Sequence, residues 1–289
     1  MAAATEGPSS EFIVRHEKLD LRIYLSSLNS LLLHEETIPE RVAELKREFL
    51  RDEIVKDPVV IDRDSGVVLD GMHRVAALRE LERSCLPVCA VDYLSPSIKV
   101  GAWYRSIRGT SSPDQVKLAL SASGIRFEGF TFDILNITDN PALAMLFTNH
   151  QCFKLMSNDL EVFETLKIAE QCLRQLALTV KFETESDALQ DLINKKVKAI
   201  VTLPKIDKAT VRKAGLTGRL LPHKVTRHVV PARPLGVNVP LKTLTDRNTP
   251  LPELNQRFVS MLQTRGMTRR PSGTIIEGRR YEEETYVFN

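Results

Sequence analysis

The sequence predicts a mixed α/β (α+β) protein. Apolar runs of strand length recur along the chain, segments with helical periodicity lie between them, and 43% of the 289 residues are apolar. A chain of this length and composition buries a substantial core, either as one large domain or as two of ordinary size.

The N-terminal part is predicted to contain a short tip followed by a helix. Residues 1–10 are small and polar, so we expect a disordered tip. A helix over residues 38–51 is predicted because Thr37 and Glu40 fit a capping box and Pro39 suits an early helical position. Its apolar face is formed by Val42, Leu45 and Phe49.

A β-hairpin and a second helix are predicted next. The apolar runs 58–61 and 67–69 flank the turn-forming residues 62–66. The second run ends at Asp70 and Gly71, and a helical face begins at Val75. Residues 70–74 are therefore predicted to lie where a strand passes into a helix.

The remaining chain repeats the α/β pattern and suggests domain boundaries. A strand over LPVCAVDYL precedes a basic and aromatic segment, residues 99–108, and serines and a proline at 111–113 mark a boundary. After residue 245, prolines and arginines indicate a peripheral, partly mobile extension. We expect domains at 11–110 and 111–245, with an extension at 246–289. The elements expected in the second domain are apolar segments 126–135 and 144–154, a helix over 159–177, and strands near 178–183 and 198–203.

Composition excludes several classes of function. The formal charge of +3 is too small to predict a nucleic-acid partner or an anionic membrane surface. No apolar run approaches the ~20 residues of a membrane span, so a cytoplasmic protein is expected. The cysteines lack CxxC spacing and a partnering histidine cluster, which favours buried reduced thiols over a zinc site or disulfides. They are Cys85, Cys89, Cys152 and Cys172.

Three segments carry side chains suited to phosphate chemistry. Gly71, His73 and Arg74 at a helix N-terminus would form an anion cradle, although Asp-Gly is also an ordinary turn. The donors in segment 224–228 precede a strand, where an exposed basic loop is the alternative. Glu35 or Glu36 could act as a general base for an alcohol, or could merely complement a helix dipole.

Five segments of the chain together form a recognisable set. They are His34-Glu35, Val68-Leu69-Asp70-Gly71-Met72-His73-Arg74, Asp92-Tyr93, Trp103-Tyr104 and Thr226-Arg227-His228-Val229-Val230-Pro231. In identity and order these segments resemble the free serine kinase family, over roughly residues 30–245. That resemblance implies a ParB/sulfiredoxin-like N-terminal domain, with the second mixed α/β domain completing a nucleotide and substrate cleft.

The resemblance implies transfer of a phosphoryl group from ADP, or from ATP, to the hydroxyl of free L-serine, with Mg²⁺ as cofactor. It makes Glu35 the catalytic base and Asp70 a catalytic and metal-binding residue. His73 is implied to be catalytic and phosphate-binding, and Trp103 and Thr226 to contact the amino acid together with Glu35. The phosphate-binding residues it implies are Gly71, Met72, His73, Arg74, Lys224, Thr226, Arg227 and His228.

One motif position departs from the family pattern. Met72 replaces the first histidine of the DGHHR-type motif, so only its backbone N–H can contact phosphate there. The choice between ADP and ATP stays open for this reason. The sequence also does not determine the oligomeric state, or whether serine, threonine or homoserine is the acceptor.

Two alternatives on the same scaffold lead to different experiments. A ParB-like DNA-binding or nucleotide-switch protein would need a helix-turn-helix after the first domain and salt-dependent DNA binding. A sulfiredoxin-like redox enzyme would need a reactive cysteine beside the phosphate motif, whereas Cys85 and Cys89 lie beyond the motif helix.

Overall fold

A computed structural model of the chain describes residues 10–129, 142–148, 151–158 and 160–289. The tip expected at 1–10 therefore lies almost wholly outside the described residues. The helices are α1 (Pro39–Asp52), α2 (Met72–Glu80), α3 (Pro113–Ala122), α4 (Val162–Gln175), α5 (Glu185–Ile193), α6 (Lys208–Thr217) and α7 (Leu251–Gln263).

The strands are short and are shared among several sheets. They are β1 (Phe12–Val14), β2 (Leu21–Ser27), β3 (Ile54–Val55), β4 (Val59–Asp62), β5 (Val68–Asp70), β6 (Cys85–Val91), β7 (Lys99–Gly101), β8 (Tyr104–Arg108), β9 (Arg126–Gly129), β10 (Ala144–Phe147), β11 (Cys152–Met156), β12 (Thr179–Glu183), β13 (Ala199–Thr202), β14 (Arg227–Val229), β15 (Ala232–Leu235), β16 (Val239–Pro240), β17 (Met267–Arg270), β18 (Ile275–Ile276), β19 (Arg279–Arg280) and β20 (Glu284–Phe288).

The chain divides into two units that are not continuous in sequence. The first contains the described residues up to 99 together with 208–220 and 228–289, and the second contains the described residues of 100–207 and 221–227. The expected bounds at 110 and 245 differ from this division, because α6 and the C-terminal strands return to the first unit. Turn-forming residues in a sequence mark breaks in secondary structure, but they do not reveal such returns.

The first unit is built on a five-stranded sheet of order β1-β2-β6-β4-β5. Its central strand β6 is buried at every residue, as its apolar sequence requires. β6 runs parallel to β4, which pairs with β5 in antiparallel orientation. The predicted hairpin is therefore confirmed, and it places Asp70 at the end of a sheet strand directly before α2.

Helix α1 begins one residue later than its capping pattern predicts. The N-cap is Ile38, and no side chain caps the helix. This shift removes Glu40 from the third helical position, so the box expected from Thr37 and Glu40 does not form. The backbone N–H of Ile38 instead donates to Nε2 of His73, at 3.0 Å.

The C-terminal residues are part of the first unit's core. Helix α7 packs on β2 and β1, with Leu254, Phe258 and Leu262 buried. Strand β20 lies between β15 and β17 in a three-stranded sheet. The expectation of a peripheral extension at 246–289 is therefore wrong for these elements, because their apolar faces pack on the unit.

The second unit is organised around an antiparallel sheet of order β12-β8-β13-β10-β11-β9. The helix expected over 159–177 is α4, and the strands expected near 178–183 and 198–203 are β12 and β13. Strand β9 covers the start of segment 126–135, and the rest of that segment lies outside the described residues.

The cysteines are free thiols, as predicted. Cys85, Cys89 and Cys172 are buried and Cys152 is half-buried. Burial raises the pKa of Cys89 to about 12, although Arg233 opposes the shift, so this thiol is unreactive. Among the described helices, none is both long enough and apolar enough to span a membrane.

Candidate functional site

Gly71 forms a tight junction between β5 and α2 in the first unit. It is the N-cap of α2 and has a φ of +100°, in the left-handed region that favours glycine. A Cβ at this position would lie 2.6 Å from Cγ1 of Val59 and 2.7 Å from Nη2 of Arg74. Glycine suits this turn, which forms the N-terminus of α2, the end of a helix that favours anions.

Arg74 stabilises the wall of this junction. Its Nη1 donates to the carbonyl oxygens of Asp57 and Pro58, at 2.8 and 2.9 Å. Its Nη2 donates to Oδ2 of Asp70 at 3.3 Å. Arg74 was predicted to bind phosphate, but these bonds occupy much of its guanidinium with the loop before β4.

Arg233, which sequence reasoning missed, is the second arginine bound to Asp70. Nη1 of Arg233 donates to Oδ2 of Asp70 at 2.8 Å, and Nε donates to Glu283. Arg233 follows the recognised segment 226–231 by two residues, but nothing in its residue type or spacing marks it as the partner of Asp70.

The carboxyl of Asp70 is held ionised by this pair. Burial opposes ionisation, but the charges of Arg233 and Arg74, a hydrogen bond from Arg233 and the charge of Arg279 outweigh it. The pKa of Asp70 therefore lies well below its usual range, and the pKa of Arg233 is raised in turn despite its burial.

A cavity of about 450 Å³ opens at this junction, wholly within the first unit. Its lining carries six basic side chains beside five carboxylates. Arginines next to the N-terminus of α2 suit a phosphate-bearing ligand. The basic side chains are Arg41, Arg51, Lys56, Arg74, Arg233 and Arg279.

His73 links the cavity to the start of α1. Its ring lines the cavity, and its Nε2 accepts the hydrogen bond from Ile38 N–H. An accepting Nε2 requires the proton of the neutral ring to be on Nδ1. His73 therefore fixes the end of the segment that carries Glu35.

Glu35 lies in a buried cluster beside β5. The residue is 3% exposed, and one carboxylate oxygen lies 3.9 Å from Nε2 of His34. His34 donates through Nδ1 to the carbonyl of Val68, at 2.7 Å. The carboxylate predicted as a base is thus anchored next to the strand that ends in Asp70.

A second histidine packs against His34. The rings of His34 and His228 meet edge to face with centroids 5.2 Å apart. Nε2 of His228 is 2.8 Å from the Tyr93 hydroxyl, and the ring also bonds the backbone of Leu69. Tyr93 and His228 were recognised as separate motifs, and the fold brings them together.

Both histidines are neutral near pH 7. Burial lowers the pKa of His34 to about 4, against the opposing bond to Val68. Burial, reinforced by His34 and Lys208, lowers the pKa of His228 to about 3, although Asp70 and Leu69 oppose the shift. His228 was predicted to face phosphate, and as a neutral ring it adds no positive charge there.

The other predicted site residues belong to the second unit. Nζ of Lys224 lies 4.6 Å from the centroid of the Trp103 ring, and Cζ of Arg227 lies 6.0 Å from it. Arg227 is also 3.7 Å from a carboxylate oxygen of Glu185. Thr226, which lies between Lys224 and Arg227 in the sequence, is buried.

Arg105 organises this cluster and was not predicted. It is fully buried, and its Nε donates to Glu170 at 2.7 Å. Nη1 donates to the carbonyl oxygens of Trp103 and Lys224, at 2.7 and 2.9 Å. The basic and aromatic pattern of residues 99–108 was the available signal, but it does not show which arginine is buried.

The residues around Asp70 could hold a metal ion only if the bound ligand supplies most of the coordinating atoms. Both arginine bonds go to Oδ2 of Asp70, which leaves Oδ1 as a ligand atom. Among the described residues, a grouping of three potential metal ligands occurs at His16, Glu17 and Glu284 and does not include Asp70. Mg²⁺ commonly uses one or two carboxylates and completes its shell with phosphate oxygens and water, and Asp70 suits that mode.

Searches against known sequences found relatives but no matching family model. The chain is 28% identical over 229 residues to an ATP-dependent L-serine kinase of Staphylothermus marinus, covering 76% of this chain and 90% of the relative. A ParB-like protein of Sulfolobus acidocaldarius is 26% identical, covering 68% and 84%. The ADP-dependent L-serine kinase SerK of Thermococcus kodakarensis is 21% identical, covering 75% and 90%.

Solved structures give the same grouping at the level of fold. A free serine kinase in complex with AMP superposes with a TM-score of 0.65 at 20% identity, covering 76% of this chain and 93% of that one. SbnI from Staphylococcus aureus, with a C-terminal truncation, superposes with a TM-score of 0.67 at 16% identity, covering 83% and 95%. In sequence the chain is similar to L-serine kinases and to a ParB-like protein, and in fold it is similar to the free serine kinases.

Proposed function

We propose that this chain is a kinase that transfers a phosphoryl group from ADP or ATP to the hydroxyl of free L-serine. The products would be O-phospho-L-serine and AMP or ADP. The observation that carries the proposal is the arginine-rich cavity at the N-terminus of α2. The Asp70-Gly71-Met72-His73-Arg74 motif at this cavity resembles the motif of the free serine kinases. Relatives named as L-serine kinases align with 90% of their own length.

The cavity supplies what phosphoryl transfer demands of a protein. The reaction needs the nucleophile aligned with phosphorus and the charge on the transferring oxygens neutralised. The N–H groups at the start of α2, which include that of Met72, would bind phosphate oxygens without a side-chain donor at that position. Arg233 adds a guanidinium that is itself fixed by Asp70 and Glu283.

Glu35 is proposed as the general base. A carboxylate takes the proton of an alcohol only when it is held within hydrogen-bond reach of the hydroxyl. The contacts of His34 with Val68 and of His73 with Ile38 fix the segment on both sides of Glu35. This support restrains the Glu35 carboxylate before the substrate binds.

Mg²⁺ is proposed to bind with the nucleotide. When bound, it would neutralise charge on the phosphates and help to orient them. Oδ1 of Asp70 is the protein oxygen suited to hold it. The roles predicted for the second unit are kept as proposals. Trp103 and Thr226 would contact the amino acid, and phosphate would be bound by Lys224, Thr226 and Arg227.

The test is product formation by purified protein with Mg²⁺. ADP or ATP is supplied with L-serine, L-threonine, L-homoserine or D-serine, and phospho-amino acid and nucleotide products are identified by mass spectrometry. L-serine with one of the two nucleotides should give stoichiometric phosphoserine and AMP or ADP. Absence of product from every pair would contradict the proposal.

Glu35→Gln tests the base within that assay. We expect kcat to fall by about 10²–10⁴-fold, because the amide cannot accept the proton, while nucleotide affinity stays nearly unchanged. Glu40→Gln, at an exposed position in the first turn of α1, is the matched control and should keep wild-type turnover. Full activity of Glu35→Gln would remove Glu35 from this role.

A ParB-like DNA-binding function is the less favoured candidate. The described residues of the second unit form a six-stranded sheet with flanking helices, where that alternative predicts a helical DNA-binding module. Tight, salt-dependent binding to duplex DNA in the absence of any kinase product would reverse this preference.

A further inference from the structure

The C-terminal hairpin brings one arginine to the cavity of the first unit. Strands β18 and β19 pair with Ile276 opposite Arg279, and Arg279 lines the cavity together with Tyr281. The Arg279 guanidinium lies 4.7 Å from the centroid of the Tyr281 ring. Tyr281 is buried and its backbone bonds Thr274 and Gly273, so the base of this stack is fixed.

The other basic groups of the cavity already have partners in the protein. Arg74 and Arg233 bind Asp70, and Lys56 lies 3.7 Å from Glu277. Arg41 is bonded to Glu44 and Glu48, and Arg51 to Asp52. Within the part of the chain that the structure describes, no carboxylate lies within 4.0 Å of the Arg279 guanidinium, so its charge is not neutralised locally.

Arg279 acts electrostatically on the centre of the site. Its charge is one of those that hold the pKa of Asp70 below its usual range. The Arg279 guanidinium has no carboxylate within 4.0 Å among the described residues, is stacked on a fixed ring and lines the cavity. It is therefore arranged for a planar, two-pronged contact with phosphate oxygens.

We propose that Arg279 is a phosphate ligand of the nucleotide donor, supplied by the C-terminal segment of this chain. The inference rests on the proposed function for the identity of the ligand as a nucleotide. It assigns a role to a hairpin that the family resemblance, which covers roughly residues 30–245, does not reach.

The proposal sets an order of affinities. Coulombic attraction to Arg279 grows with the charge of the phosphate chain, so its loss should weaken ATP most, ADP less and AMP least. A role confined to holding the hairpin in place would not produce this order.

The test is calorimetric titration of the full chain with AMP, ADP and ATP, without amino acid. Arg279→Gln should weaken ATP binding by about tenfold, with smaller losses for ADP and AMP. Arg280→Gln removes the same charge from the neighbouring position, which does not line the cavity, and should change each affinity by less than about twofold. Equal urea midpoints for the two variants would exclude unfolding as the cause.

Three outcomes would overturn the proposal: no loss in Arg279→Gln, the same fractional loss for all three nucleotides, or equal losses in both variants. Failure of wild-type protein to bind any of the nucleotides would also overturn it. If Arg279→Gln shows the expected order of affinity losses but wild-type protein forms no phospho-amino acid, the kinase proposal is contradicted and Arg279 is still a phosphate ligand. Kinase activity with no effect of Arg279→Gln would sink only this inference.

Discussion

The arginines around Asp70 differ in what they bind, and the difference decides what each contributes. Arg74 donates to two backbone carbonyls as well as to Asp70, so much of its binding capacity stabilises the loop before β4. Arg233 bridges Asp70 and Glu283 and carries its charge into the cavity as part of a fixed network. Replacing either would leave Asp70, a half-buried carboxylate, with an incomplete set of partners.

Gly71→Ala should destabilise the first unit, because the new Cβ meets both backbone strain and two close side-chain atoms. We expect the free energy of unfolding to fall by about 2–4 kcal/mol, as measured by urea denaturation followed by far-UV circular dichroism.

Gly218→Ala is the matched control for the backbone term. Gly218 has a φ of +69°, but no atom lies within 4 Å of a Cβ built there. This variant should lose only about 1–2 kcal/mol, the cost of the left-handed conformation. Equal losses in the two variants would show that crowding at Gly71 contributes nothing.

At the scale of elements, the C-terminal segment joins the first unit at two places. Helix α7 covers β2 with its apolar face, and Asn255 on that helix accepts a hydrogen bond at 2.8 Å from the backbone of Leu25 in β2. Strand β20 runs parallel to β15, the strand that contains Arg233. Glu283, the residue before β20, accepts a hydrogen bond from Arg233. The segment thus supports both the core and the site.

Phe258→Ala measures the core contribution of α7. Phe258 is 4% exposed, so the truncation should cost about 3–5 kcal/mol of unfolding free energy in urea denaturation. Gln256→Ala, on the exposed face of the same helix, should stay within about 0.5 kcal/mol of wild type. A loss below 1 kcal/mol in Phe258→Ala would return α7 to the status of a dispensable extension.

At the scale of the whole molecule, local pattern predicted the elements well and their assembly poorly. The hairpin of β4 and β5 and the helix after Gly71 follow from apolar runs and turn residues that are close in sequence. The return of α6 and β20 to the first unit depends on which apolar faces pack together over long separations, and periodicity does not specify the partner.

The candidate site shows the same division. Glu35 and the 70–74 motif could be named from residue types and resemblance, since each is a short local signature. Arg233 and Arg279 could not, because what marks them is a carboxylate or a cavity reached only through the fold. The capping box expected at Thr37 does not form. The N-cap of α1 is Ile38, and its N–H donates to the distant His73.

The buried histidines tie the stability of the fold to pH. In the folded protein the pKa is about 4 for His34 and about 3 for His228, below the ordinary 6.5. Below about pH 6.5 the unfolded chain therefore binds protons that the folded chain does not. The stabilising contribution is complete above that pH and is lost as the pH falls towards the folded values.

The free energy of unfolding, measured by urea denaturation from pH 7.5 to 4.5, should therefore fall steadily below about pH 6.5, by at most about 1.4 kcal/mol per pH unit for each histidine. His228→Gln removes one titrating ring while leaving an amide that can bond Tyr93, so its stability should decline less steeply over the same range. Asp70, whose pKa is lowered, is present in both proteins, so its own contribution cancels in the comparison. An unchanged slope in His228→Gln would mean that His228 is already protonated in the folded protein, or that its ring is accessible to water.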